Sequence, residues 1–203
     1  MQSTPNLRLV VASVYSELNR GKISELFEYI KETGTPQIHG LMFARGVTRD
    51  VGARTQDGED FLKRLAELQT IQMPHLGRFG KAWATTYTDR RMKTHRQGRM
   101  VDPCRAGSKL LVLDHKGELA PCEVFGPLAE EGAFKYNGAM SFGNLRDVKY
   151  DPSALLNSED SRRLCSFISR RGCNCTFECA LLNNFALNYS NYFRILARIF
   201  TSS

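Results

Sequence analysis

Apolar and polar positions change their period several times along this chain, and each change predicts an element. Residues 7–14 are rich in apolar and β-branched side chains and predict a buried strand. Asn19 then stands where a helix N-cap would, ahead of Ile23, Leu26, Phe27 and Ile30, which mark one apolar face at helical spacing. Gly34 ends that helix and Pro36 prevents its return. Residues 37–44 read as a second strand, giving a β-α-β unit expected to be parallel and right-handed. A helix from about residue 57 follows, with Phe61, Leu62, Leu65 and Leu68 on its buried side.

Farther on, the apolar run 110–113 and the shorter pair Leu119 and Ala120 flank a turn at 114–117, which predicts a β-hairpin with Gly117 supplying positive φ. Pairing residue 113 with 118 sets 109 opposite 122, so Cys122 falls at the open end of the hairpin, and Gly107 lets the chain curl Cys104 back towards it. Residues 123–138 contain glycine and read as an irregular loop over that end. Residues 151–171 predict one helix with Leu155, Leu156, Leu164, Phe167 and Ile168 inward, and Cys165 among them as a small buried apolar side chain. A last helix, from about residue 180, carries Phe185, Tyr189, Tyr192, Phe193 and Phe200 and is expected to pack with them.

Composition changes little in this picture. A chain of 203 residues with 42% hydrophobic and 24% charged content can bury a sizeable core. Residues 7–14 lack the basic leader and cleavage site of a secretory signal, and 192–200 is too short and too charged to span a bilayer, so a cytoplasmic protein is expected. The net charge of +7 and the run Arg90, Arg91, Lys93, His95, Arg96 and Arg99 raise a nucleic-acid reading. No aromatic platform accompanies that run, which favours a solvated linker.

The cysteines carry the candidate chemistry. Five of the six form two groups, Cys104 with Cys122 and Cys173 with Cys175 and Cys179, and in a cytoplasmic chain such grouping points to metal rather than disulfides. Four thiolates suit a tetrahedral zinc or the corners of a [4Fe-4S] cluster, and spacing alone leaves both open. Successive extended residues point to opposite sides, so Cys173 and Cys175 are not both expected to reach one metal. His115 reads as a turn residue, and His39, His75 and His95 show no metal spacing.

The spacing has a further aspect. Cys104, twelve residues, Gly117, four residues and Cys122, then Cys175 and Cys179 separated by three residues, resemble the SPASM or twitch region of radical SAM enzymes. The stretch from Leu113 to Cys122 and the motif Phe142, Gly143, Asn144, Leu145 add to the resemblance, as do, less specifically, residues 10–19 and 39–46 as late barrel strands. The resemblance implies an α/β fold: the last strand-helix units of a partial (β/α) barrel over 1–95, then a small α+β SPASM/twitch-like domain over 96–203. It implies one auxiliary [4Fe-4S] cluster, with zinc as the alternative metal, held by Cys104, Cys122, Cys179 and either Cys175 or Cys173, with Cys175 preferred. Such a cluster binds substrate or relays an electron. Arg45, before Gly46 at the end of the final strand, is where the resemblance puts a ligand-contacting residue. The cysteine trio that binds the S-adenosylmethionine-cleaving cluster is absent, and no cysteine precedes Cys104. The chain is thus expected to act as the C-terminal part of such an enzyme. S-adenosylmethionine would belong only to the complete enzyme, a complementary N-terminal half would be the partner, and a small molecule or peptide the substrate. The rival is a metal-stabilised module that binds an anionic partner.

Overall fold

A computed structural model describes residues 11–32, 39–43, 58–173 and 175–201. It is mixed α/β and mostly helical, with two small sheets among the described residues. The chain divides into two compact units, one of residues 1–88 with 195–203 and the other of residues 89–194.

In the first unit, β1 (Val11–Tyr15) and β2 (His39–Phe43) pair in parallel, from Val11 opposite His39 to Tyr15 opposite Phe43, with α1 (Ile23–Glu32) between them in the chain. Ile23, Phe27 and Ile30 of α1 are buried together with Tyr15 and Leu41. The following helix, α2 (Gly58–Gln72), buries Phe61, Leu62, Leu65 and Leu68, the four residues its periodicity marks. Tyr15 donates its hydroxyl to Asp60, tying β1 to α2. Arg64 donates to Ser24 at 2.7 Å and to Glu67 at 3.1 Å, tying α2 to α1. Asn19 is not the cap of α1. Its Oδ1 accepts from Ser16 N and its Nδ2 donates to Val14 O, so it closes the turn leaving β1, and the helix begins four residues later. Residues 7–10, 33–38 and 44–57, including Gly34, Pro36 and Arg45, lie outside the described residues.

A 20-residue helix, α3 (Arg78–Gln97), comes next, and the boundary between the units falls within it. It replaces the solvated linker expected for the arginine-rich run. Arg91 is 6% exposed and Thr94 is fully buried. Its inward positions Ala82, Thr86, Arg91 and Thr94 are small or polar, so no apolar stripe marks the helix in the sequence.

The second unit holds an antiparallel sheet in the order β3 (Val112–Leu113), β4 (Glu118–Ala120), β5 (Gly143–Asn144). The hairpin forms, but Leu113 pairs with Leu119 rather than with residue 118. Asp114 explains the shift: its Oδ1 accepts from the backbone N–H groups of Lys116 and Glu118, both at 2.8 Å, and Gly117 follows at φ +88°, a bulged turn that takes up one more residue. The motif at 142–145 closes the sheet. Phe142 is buried, Gly143 pairs with Leu119, and Asn144 donates to Lys116 O at 3.0 Å.

Helices surround this sheet. The expected loop at 123–138 contains α4 (Phe125–Glu130), whose buried Phe125 stacks on Phe134 with ring centroids 4.9 Å apart. The expected single helix over 151–171 is two, α5 (Pro152–Leu156) and α6 (Glu159–Ser169), because Ser158 leaves helical geometry and caps α6 by accepting from Ser161 N. Leu164 and Ile168 face the core as expected. The last expected helix is likewise two, α7 (Glu178–Ala186) and α8 (Tyr189–Thr201), broken where Asn188 Oδ1 accepts from Ser190 N. Phe185 is buried, but Tyr189, Phe193 and Phe200 are more than two-thirds exposed, against the expectation that they pack.

A Cβ at position 117 would stand 2.9 Å from Asn144 Oδ1 on a backbone already at positive φ. Gly117→Ala is therefore expected to cost about 1–2 kcal/mol, read as a lower urea midpoint with an unchanged slope.

Candidate metal centre

The two cysteine groups lie on irregular chain that α3 holds from both sides. Adjacent arginines on this helix point about 100° apart, and each grips a buried carboxylate next to one group. Arg90 makes a two-pronged contact with Asp102, through Nη2 to Oδ1 at 2.8 Å and Nε to Oδ2 at 3.2 Å. Asn188 and Asn191 also donate to Asp102 Oδ1, at 2.7 and 3.2 Å. Asp102 stands two residues before Cys104, so this network fixes the entry to the first group. Arg91 Nε donates to Glu178 Oε2 at 2.6 Å, and His95 Nε2 lies 2.7 Å from Oε1. Glu178 opens α7 between Cys175 and Cys179 and fixes the second group.

Burial alone would raise the Glu178 carboxyl, but the Arg91 charge and the hydrogen bonds from His95 and Arg91 overcome it and hold the group below the usual glutamate range. A carboxylate ion-paired inside a protein is costly to orphan.

Cys122, at the end of the hairpin, is pushed up to about 12 by burial, with the neighbouring thiols of Cys175 and Cys104 raising it further against the Val124 amide. Burial does the same to Cys173, again to about 12, and Cys175, Cys104 and Cys122 add to it. These four thiols are thus within electrostatic reach of one another. Cys104, Cys173 and Cys175 line one recess together with Arg99, Met100 and Arg171. Cys173 and Cys175 both reach it, contrary to the alternation expected of extended chain, because Cys173 lies in a bend after α6 and not in a strand. Cys179 is exposed. Burial and the carboxylates of Glu123 and Glu178 raise its thiol, and no other cysteine contributes.

Cys165 lies on α6 and shares the sheet core with Cys104, Cys122 and Cys173. Its thiol donates to Gly107 O at 3.4 Å, where a Cβ on Gly107 would come within 2.9 Å of the sulfur. Gly107 has φ +80°, and its N–H donates to both Leu110 O and Pro121 O, which folds the chain after Cys104 back onto the hairpin end. All six cysteines are free thiols. Among the described residues, no group of three or more His, Cys, Asp or Glu side chains is placed to hold a metal ion. His115 is exposed in the hairpin turn, and His95, which had no spacing signal, is engaged by Glu178. Asp102 and Glu178 were not marked by the sequence reading, and Arg91 was read only as part of a basic run. An aspartate just before Cys104 and a glutamate just before Cys179, matched to two arginines on one helix, were the available signal.

Asn184 of α7 binds the residue after Cys104: its Oδ1 accepts from Arg105 N at 2.8 Å. Its buried Nδ2 has no hydrogen-bond partner, a cost that a bound acceptor would remove. By donor chemistry, the thiols of Cys104, Cys122, Cys173 and Cys175 suit a sulfur-ligated metal group. The chain matches no protein-family model, no curated protein and no solved structure.

Removing the Glu178 carboxylate leaves Arg91 charged and buried. Glu178→Ala is expected to cost about 3–5 kcal/mol in urea unfolding at neutral pH. The folded pKa lies below the unfolded one, so this stabilisation is complete above the ordinary glutamate range and is lost as pH falls through the folded value. The gap between wild type and variant should therefore narrow towards acid pH. Thiol reactivity gives a second check. In metal-free protein at pH 8, iodoacetamide should modify Cys179 first and Cys122 and Cys173 last, as peptide mapping would read.

Proposed function

We propose that this chain is an auxiliary-cluster portion of a radical SAM-type enzyme, holding one [4Fe-4S] cluster through Cys104, Cys122, Cys173 and Cys175. The observation that carries the reading is the mutual reach of these four thiols, drawn from two groups more than 50 residues apart in sequence. Cys179, which the motif resemblance includes, is the exposed member of the second group and is left out of the proposed set, and both Cys175 and Cys173, alternatives in the resemblance, are kept. When bound, such a cluster supplies one-electron chemistry or an iron at which substrate binds.

The chain's own residues supply the rest. Arg90 with Asp102 and Arg91 with Glu178 hold the two candidate ligand segments against α3, and Asn184 Oδ1 accepts from the amide after Cys104. Four thiol ligands leave no vacant corner, which favours electron relay over direct substrate binding. Cys122 and Cys173 keep their protons near neutral pH in the absence of metal, so loading must release them, and affinity should rise with pH. Cleavage of S-adenosylmethionine would come from a complementary portion carrying the missing cysteine trio, and the substrate would be a peptide or small molecule engaged there. The basic run is a weak nucleic-acid surface, since Arg90 and Arg91 are spent on buried carboxylates.

Anaerobic reconstitution tests the reading. It predicts about four iron and four sulfide per chain, lost in Cys122→Ser and Cys173→Ser but kept in Cys179→Ser and Cys165→Ser. The reduced chain alone should form no 5'-deoxyadenosine from S-adenosylmethionine. Iron retained in Cys122→Ser and Cys173→Ser, or 5'-deoxyadenosine formed by the isolated chain, would overturn it.

A further inference from the structure

The recess lined by Cys104, Cys173 and Cys175 is completed by Arg99, Met100 and Arg171, and among the described residues no carboxylate lines it. Arg99 follows the end of α3, where Gly98 turns the chain at φ +64°, and Met100 is buried beneath. Both arginine residues are exposed, and among the described residues neither forms a salt bridge or a side-chain hydrogen bond. Arg90 and Arg91, a few residues before Arg99, are in contrast both committed to carboxylates.

The backbone at Arg171 is a second, independent observation. Helix α6 ends in a Schellman turn, with Gly172 N donating to Phe167 O and Arg171 N to Ile168 O, both at 2.9 Å. The residue in the left-handed position of such a turn is usually glycine, because a Cβ there is strained. Here that residue is Arg171, at φ +62°. Gly172 stands one position later, where a Cβ would meet the Phe167 ring at 2.4 Å. The turn therefore keeps a strained arginine at the edge of the thiol recess, and strain of this kind is common where a side chain serves a site.

We propose that Arg99 and Arg171 form an oxyanion-binding site at the mouth of the thiol recess, taking a carboxylate or phosphate group of the molecule that meets the cluster. Two guanidinium forks match either group. The role beside a cluster rests on the function proposed above, but anion binding itself requires no metal. The competing explanation is that these arginines only offset the negative charge of a thiolate-ligated cluster.

Ligand NMR separates the two. Inorganic phosphate and 13C-acetate are titrated with the full chain, metal-free and reconstituted, and line widths are followed. At least one of the anions should broaden saturably with the metal-free chain, which tells a phosphate site from a carboxylate site. Affinity should fall at least tenfold in the Arg99→Gln, Arg171→Gln double variant. It should be unchanged in the charge-matched Lys116→Gln, Lys135→Gln double variant, whose lysines are exposed elsewhere. Arg171→Gly should raise Tm, because the turn relaxes, while still losing affinity, so weaker binding cannot be ascribed to misfolding. Broadening that is absent, or equal in the wild type and the Arg99→Gln, Arg171→Gln variant, overturns the site. A shifted cluster potential with unchanged anion binding does so too and assigns the arginines to charge compensation. Normal iron and sulfide without broadening defeats this inference alone, whereas broadening in a chain that assembles no cluster defeats the cluster reading alone.

Discussion

The second unit depends on two adjacent arginines. Arg90 and Arg91 leave α3 in different directions, and each meets a buried carboxylate, Asp102 before Cys104 and Glu178 after Cys175. The chain carrying these cysteines has little regular structure of its own, since Cys104 and Cys175 lie outside helices and strands and Cys173 sits in a bend. Apolar packing differs between them: Cys104, Cys122 and Cys173 pack on the core built from Leu119, Phe125, Phe142, Leu164 and Ile168, whereas Cys175 only joins the small cluster of Met100, Ala180 and Leu181. Two desolvated ion pairs on one helix add to that packing by fixing the segments that enter the two cysteine groups. Ion pairs of this kind add modest net stability compared with apolar packing, but they are strict about geometry, because a displaced partner leaves a charge stranded.

Periodic apolar residues made some of this legible in the sequence. Phe61, Leu62, Leu65 and Leu68 mark α2, and Ile23, Phe27 and Ile30 mark α1, because one face of each helix meets an apolar core. Helix α3 left no such mark, since its inward face is threonine, alanine and arginine, and a polar buried face looks solvated in a one-dimensional pattern. The hairpin was legible from its apolar flanks and Gly117, but its register was not. A side chain, Asp114, chose the loop length by binding two backbone amides. Ser158 and Asn188 broke two long helical patterns into four helices, and both are residue types that compete for backbone N–H groups.

For the candidate site, the grouping of cysteines was readable and their partners in space were not. Cys104 and Cys122 both pack on the sheet core, and Gly107 folds the chain after Cys104 back onto the hairpin end. Local backbone sets the exposure of Cys173, Cys175 and Cys179: Glu178 starts a helix, which carries Cys179 onto an exposed face, while Cys173 in its bend and Cys175 are half-buried. Arg45 falls outside the described residues. Nothing in periodicity or spacing could mark Arg91, His95 and Glu178 as one buried unit, because their association joins residues more than 80 positions apart.

The central claim is that thiols from both cysteine groups share one iron-sulfur centre, and X-ray absorption of the anaerobically purified chain tests it most directly. The account predicts an iron edge whose fine structure contains a sulfur shell together with iron–iron scattering, as a cubane requires. A zinc edge with a single sulfur shell, or iron with no neighbouring iron, would contradict it.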